Sequence, residues 1–309
     1  MENGSWIIID SILHEPLAMI SSNQNSKIKL ARALTGRPKE RREAEAFLAE
    51  GVRLVEEAVI GNWGFRFVLY SDELSERGKK LVEKLEEEKI EVEEVESSLL
   101  QSLSETETSQ GILAVIELKQ LPIPNSPNFI LIPDSIRDPG NLGTLLRTAD
   151  AAGVQVVLIP PETTDAFAPK VVRAGMGAHF RLPIHSMSWD EIREFVSASH
   201  LTKRDESNRG DSVRLTEKTN PSGATHIIPF GDTRLHVFLA DMKGQSCWET
   251  DFRQPLTLIV GGEAEGASEH AHQLANAVVK IPMAGKTESL NAAVAGSVLI
   301  FEVMRQRSL

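Results

Sequence analysis

The alternation of apolar and polar positions changes character near residue 120. Before it, short apolar stretches of both helical and strand period are mixed. Lys27–Leu34 predicts a short basic helix stopped by Gly36 and Pro38. Ala44, Phe47, Leu48, Val52, Leu54, Val55 and Ala58 fall near a 3.6-residue spacing and predict one longer helix over Glu40–Ile60. A strand at Phe65–Tyr70, an amphipathic helix at Leu74–Glu88 and a half-buried strand at Ile90–Val95 follow. A short helix at Ser97–Leu103 and a strand at Ile112–Leu118 complete a compact α+β unit. Beyond it the pattern becomes regular. Continuous apolar strands at Phe129–Ile132, Val154–Ile159, His179–Ile184, Leu235–Ala240, Leu256–Val260 and Ala277–Ile281 alternate with helices at Asn141–Ala152, Pro169–Gly175, Trp189–Ser199, Ser268–Gln273 and Leu290–Gln306. Apolar strands between helices indicate a mostly parallel sheet covered on both faces.

The expected organisation is therefore an extension at residues 1–26, the smaller unit at 27–118, a proline-rich linker at 119–128 and an α/β domain at 129–309. Thr202–Ala224 interrupts the last with a polar, glycine- and charge-rich insertion, which composition marks as disordered.

With 309 residues, 41% hydrophobic and 25% charged, the composition is that of a globular protein. The single cysteine, Cys247, excludes an intrachain disulfide and a paired-cysteine metal site. No apolar run reaches bilayer length, and Trp6–Ile9 lacks the basic flank of a secretory signal, so a cytoplasmic protein without a membrane partner is expected.

A net charge of −11 argues against a nucleic-acid partner, but the charge is unevenly spread. Lys27, Lys29, Arg32, Arg37, Lys39, Arg41 and Arg42 lie close together with Glu40 as the one acid among them, while eight glutamates crowd Glu83–Glu96. Such segregation permits a basic binding face on an acidic protein; two solvated helix faces account for it equally well.

Three loops carry candidate chemistry, each placed after a strand and before a helix. Asp134–Arg147 turns at Pro139-Gly140; Asn141 suits the N-cap, and Arg147 follows in the first turns, where an arginine beside a helix start can hold a phosphate. Gly261-Gly262-Glu263-Ala264-Glu265-Gly266 lacks the spacing of a dinucleotide fingerprint, which disfavours a nicotinamide oxidoreductase. Glu263 and Glu265 are too close in sequence for an acid/base dyad, and one orienting carboxylate is the better reading. The third loop, Ile281–Asn291, breaks at Pro282 and Gly285 and leaves peptide groups free to hold a ligand. The histidines show no ligand spacing for a metal.

Together the three loops resemble the SpoU (TrmH-like) family of RNA ribose 2'-O-methyltransferases, of the SPOUT class. Asn141, Gly143 and Arg147 match Asn-x-Gly-x-x-x-Arg; Gly261, Glu263 and Gly266 match Gly-x-Glu-x-x-Gly; Ile281, Pro282, Met283, Gly285, Ser289, Leu290 and Asn291 match the third motif. Phe47–Arg53 and Gln110–Ala114 are similar to parts of the family's ribosomal-protein-like RNA-binding domain. The resemblance implies a C-terminal SPOUT domain with a parallel sheet and a deep trefoil knot, a homodimer, and S-adenosyl-L-methionine as methyl donor. It assigns Gly261, Gly262, Ile281, Met283 and Leu290 to the cofactor, and Arg147, Asn141, Glu263, Ser289 and Asn291 to catalysis. RNA is the implied partner, ribosomal RNA in preference to transfer RNA; an inactive RNA-binding relative is the alternative. Gly262 stands where the family usually has a larger residue, and Ala292-Ala293 replace a Val-Ser pair.

Overall fold

The computed structural model describes residues 19–104, 109–198, 218–219, 225–226, 235–263, 266–286 and 289–308. The expectation of disorder at Thr202–Ala224 concerns a stretch of which only Lys218–Thr219 is described, so it lies outside the described residues.

Asn25 caps α1 (Ser26–Thr35) by accepting from the Lys27 N–H. Next come α2 (Pro38–Ala44), β1 (Ala46–Glu50) and α3 (Val52–Ile60), so the single helix expected over Glu40–Ile60 is two helices with a strand between them. The backbone takes left-handed values at Glu45 (φ 46°) and Gly51 (φ 99°), one at each end of β1. The intervening Ala46-Phe47-Leu48-Ala49 run is buried on both faces, and a short strand of that kind cannot be told from helix by spacing alone. After it lie β2 (Phe65–Tyr70), α4 (Glu76–Glu87), β3 (Val92–Glu94), α5 (Ser97–Gln101) and β4 (Ile112–Glu117).

These strands form a four-stranded sheet in the order β1-β4-β2-β3, antiparallel except for β2 with β3. Alternate residues serve opposite layers. Phe47, Val68 and Ala114 pack with Val55 of α3 and Leu85 of α4, whereas Leu48, Leu69 and Val115 pack with Ile28 of α1 and Leu100 of α5.

The second sheet contains β5 (Phe129–Asp134), β6 (Val156–Ile159), β7 (Ile184–Ser186), β10 (His236–Ser246), β11 (Leu256–Gly261) and β12 (Ala277–Lys280); β8 (Lys218–Thr219) and β9 (Thr225–His226) form a separate antiparallel pair. All neighbours in its order β12-β10-β11-β5-β6-β7 are parallel. Its helices are α6 (Pro139–Ala151), α7 (Pro169–Gly175), α8 (Trp189–Ala198), α9 (Glu269–Leu274) and α10 (Ala292–Arg307). Leu145 and Leu146 of α6, Val171 of α7 and Leu299 and Ile300 of α10 bury one face of the sheet, and Ile192 and Val196 of α8 with Ala271 of α9 bury the other. Among the described residues no helix is long and apolar enough to cross a membrane.

The strand expected at His179–Ile184 starts only at Ile184. Ala178–Phe180 is instead a 3-10 turn that places His179 and Phe180 inside the molecule. Phe180 joins Phe47, Trp63 and Phe167 in an aromatic cluster shared by the two units, with Phe47 ring centroids 5.7 Å from Trp63 and 5.1 Å from Phe167. The Trp63 indole N–H donates to the Phe180 carbonyl at 3.1 Å.

Arg41 belongs to the same joint. It is 2% exposed and donates to the carbonyls of Leu34 and Gly36 and to Asp165, 2.7 Å away. Its expected place on an RNA-binding face is therefore corrected: it is an internal tie. Lys27 is likewise engaged, with its ammonium between Glu91 (2.6 Å) and Glu93. Arg32 donates to Asn23 and Ser102. Lys29, Arg37, Lys39 and Arg42 stay exposed.

His179 gives the joint a pH dependence. Burial pushes its pKa down from 6.5 to about 4, against the opposing pull of the Ala166 carbonyl it contacts at 2.7 Å and of Asp165. The neutral ring is the folded form, while the unfolded chain takes up a proton below about pH 6.5. The stabilisation is thus complete above that pH and is lost as pH falls toward 4, to the extent of about 3 kcal/mol. Urea midpoints measured between pH 7.5 and 4.5 are expected to fall more steeply for the native protein than for His179→Gln.

Candidate active site

In a parallel sheet the strands all deliver their following loops to one end, where ligands bind. Here the ends of β10, β11 and β12 and the loops after β11 and β12 meet around a cavity of about 340 Å³. Gly261, Gly262 and Glu263 supply one wall, Ile281 and Met283 a second, and Ser289, Leu290 and Asn291 a third. Every expected cofactor residue lines this cavity. Of the five expected catalytic residues, Glu263, Ser289 and Asn291 line it too, while Asn141 and Arg147 stand outside its wall.

Asn141 is nevertheless tied to the cavity. It is not the N-cap of α6: Asp138 holds that position, with its Oδ1 accepting the Asn141 N–H at 2.9 Å and Pro139 opening the helix. Capping by Asp138 leaves the Asn141 side chain free. Its amide nitrogen donates to Glu263 Oε1, and its oxygen accepts from Asn291 Nδ2 at 3.0 Å. Asn291 in turn caps α10, accepting from the Val294 N–H at 3.1 Å. One hydrogen-bond chain, Asn291–Asn141–Glu263, thereby links the three loops.

Small residues set the distances in this chain. A Cβ on Gly296 would lie 2.4 Å from Leu145 Cδ2, so glycine lets α10 rest on α6 with the Leu145 side chain where it stands; Thr148 and Ser297 hydroxyls meet at 2.9 Å beside it. On the other side of α6, a Cβ on Gly143 would come within 2.5 Å of Ala174 Cβ on α7. The small-residue face of α10 is thus used within the molecule at Ala292, Ala293 and Gly296. Arg147 lies less than two turns beyond Asn141 on α6, is exposed, and has no hydrogen bond or ion pair among the described residues. Glu265 lies outside the described residues.

The extension of β10 was not visible in the sequence. The strand continues from Ala240 through a register shift to Ser246 and brings Ala240, Asp241 and Met242 into the cavity wall. The polar run Asp241–Ser246 has no strand pattern. Its one signal is Gly244, where a Cβ would meet the Val278 carbonyl carbon at 2.4 Å. Among the described residues no cluster could hold a metal ion.

The SpoU rRNA Methylase family model matches residues 128–231 and 211–301, and the MRM3-like substrate binding domain model matches residues 25–114. The mitochondrial rRNA methyltransferase 3A of Danio rerio is 33% identical across 84% of this chain, which spans 63% of that relative's length. For the mitochondrial rRNA methyltransferase 3 of Xenopus tropicalis the span is 48% of its length, at 38% identity over 57% of this chain. The 23S rRNA (uridine(2479)-2'-O)-methyltransferase of Streptomyces viridochromogenes is 30% identical over 94% of both chains. The crystal structure of the SpoU methyltransferase AviRb from Streptomyces viridochromogenes, in complex with the cofactor AdoMet, superposes with a TM-score of 0.73 at 29% identity, covering 92% of this chain and 99% of that one. The second and third motif loops line one cavity, the first is hydrogen-bonded to both through Asn141, and the chain belongs to the SpoU rRNA methylase family.

Proposed function

We propose that this protein transfers a methyl group from S-adenosylmethionine to a ribose 2'-hydroxyl of ribosomal RNA. The observation that carries the proposal is the Asn291–Asn141–Glu263 chain at the edge of the cavity, with the unpaired Arg147 on the same helix. Relatives named as rRNA methyltransferases, one of them a 2'-O-methyltransferase similar along nearly its whole length, support the substrate class.

The cavity suits the donor. Its volume falls in the range of about 300–1,000 Å³ typical of small-molecule sites. Ile281, Met283 and Leu290 offer apolar contact to an adenine ring, and the loop backbones at Gly261 and Gly262 offer peptide groups to its polar edge. When bound, S-adenosylmethionine supplies a methyl group activated by the sulfonium. The protein's part is alignment and charge. Asn141, held from both sides, fixes where Glu263 and Asn291 point; Ser289 and Asn291 stand beside the cavity to orient the ribose. A guanidinium is no general base, so Arg147 acts as a phosphate anchor that favours negative charge developing on the attacking oxygen.

The exposed Lys29, Arg37, Lys39 and Arg42 are the RNA-facing part of the N-terminal basic segment. A homodimer through α10 is supported by its exposed Val294 and Phe301. The deep trefoil knot is supported by the chain's course: β12 pairs at the outer edge beside β10, yet α10 returns to lie on α6 and β11.

Arg147→Ala is expected to reduce methyl transfer to ribosomal RNA by at least about a hundredfold while S-adenosylmethionine affinity, read by calorimetry, stays within about threefold. A lost cofactor signal would make Arg147 a support of the cavity instead. Gly262→Ala places a Cβ 2.3 Å from the Ser135 carbonyl oxygen, which cannot give way without moving the loop; cofactor affinity is expected to drop by about tenfold or more. Charge reversal at Lys29, Arg37, Lys39 and Arg42 should weaken RNA binding and flatten its dependence on salt concentration.

A further inference from the structure

Asp134, the last residue of β5, is fully buried, and among the described residues no cation faces it. A buried carboxylate without a cation is costly unless hydrogen-bond donors surround it. Its two oxygens have separate partners. Oδ2 accepts the backbone N–H of Ser268 at 2.6 Å, and Oδ1 accepts the Ser135 hydroxyl at 3.2 Å. The first is the shorter of the two.

Ser268 ends the loop that begins at Gly261, and Gly261 is itself the register partner of Asp134 across β5 and β11. The carboxylate therefore holds the far end of the loop against the strand that carries its near end. Two further contacts act on the same pair of loops. The Ser135 backbone, at φ 56°, presses its carbonyl so close to Gly262 that no side chain fits there. Beyond that, Asn141 meets Glu263. Gly262 also bridges to Gly266, on the Ser268 side of the loop, so the tie at Ser268 is coupled to the glycine that walls the cavity.

We infer that Asp134 is a positioning residue for methyl transfer: by binding the Ser268 N–H it holds the Gly261–Ser268 loop where Gly261 and Gly262 can wall the donor cavity and Glu263 can meet Asn141. It touches neither donor nor RNA. This inference rests on the methyltransferase reading of the cavity.

Two pairs of variants test it. Asp134→Ala removes the acceptor, and Asp134→Asn keeps an oxygen for the same N–H. Ser268 has φ −68°, the angle a proline ring imposes. Ser268→Pro deletes the N–H together with the side-chain cap on Ala271, and Ser268→Ala deletes the cap alone. S-adenosylmethionine affinity is measured by calorimetry and the single-turnover rate with ribosomal RNA, both on protein verified as folded by circular dichroism.

The expected result is that Asp134→Ala and Ser268→Pro weaken donor binding by about tenfold or more, the range of one charge-assisted bond. The rate at saturating donor should also fall, because Glu263 loses its place, and Asp134→Asn and Ser268→Ala should remain within about threefold of the native protein. Native values in folded Asp134→Ala would overturn the inference, as would Ser268→Pro indistinguishable from Ser268→Ala. Should Asp134→Ala fail to fold, the Ser268 pair decides alone. Native protein that does not bind S-adenosylmethionine would overturn the proposed function itself, a separate outcome.

Discussion

Close approach of α10 to α6 is the constraint on which the site depends. Gly296 over Leu145 allows the short separation of the two helices, and the Thr148–Ser297 contact fixes their register. With both settled, the two N-terminal ends lie side by side, and Asn141 and Asn291 are in hydrogen-bond reach across the gap. Neither asparagine could serve this way if each had to cap its own helix with all its polar atoms. Asp138 relieves Asn141 of capping, and Asn291 caps with its oxygen while its nitrogen reaches across. A larger residue at Gly296 would displace the Leu145 side chain, and so would act on the contact between the helices before it touched the cavity.

Much of the parallel sheet could be read in the sequence because its strands are apolar without interruption and its helices are bounded by Pro, Gly and capping residues. Phe129, Leu256 and Ala277 begin strands where expected, and Pro169–Gly175 is a helix with the expected limits. Failures came where burial on both faces erased the period. Ala46–Glu50 carries the apolar density of a helix, and only its pairing with Leu113–Glu117 makes it a strand. His179–Ile184 failed in the opposite sense: its apolar side chains are buried by a turn at the joint between the units, not by a ladder. Of the site, the three loops were legible as glycine-punctuated strand ends. The wall contributed by Asp241 and Met242 was not, because a bulged polar strand has no local signature.

Charge was legible only as a sum over segments. The basic and acidic stretches of the N-terminal unit in part face each other, since Lys27 sits between Glu91 and Glu93. Arg41 is the clearer case. Nothing in its sequence neighbourhood separates it from Arg42, yet one is enclosed by two carbonyls and Asp165 while the other is exposed. On a helix, adjacent residues point about 100° apart, so neighbouring arginines in a basic run need not share a fate.

The joint between the units bears directly on the chemistry. A flexible linker would let the N-terminal unit hold RNA at a variable distance from the cavity, and in-line transfer tolerates little misplacement. Here the aromatic cluster of Phe47, Trp63, Phe167 and Phe180 is continuous with the core of the N-terminal unit, and Asp165 fastens Arg41 at its edge. The segment around Asp165 is tied onward to the first motif loop: Thr163 donates to the Pro133 carbonyl and Thr164 N–H to the Ile136 carbonyl, on either side of Asp134. The N-terminal unit is thus braced against the same turn that meets the Gly261–Ser268 loop through Asp134 and Ser135. In the proposed methyl transfer, RNA and donor would both be referred to one element, the Pro133–Ile136 turn, and not to the proline-rich connection between the units.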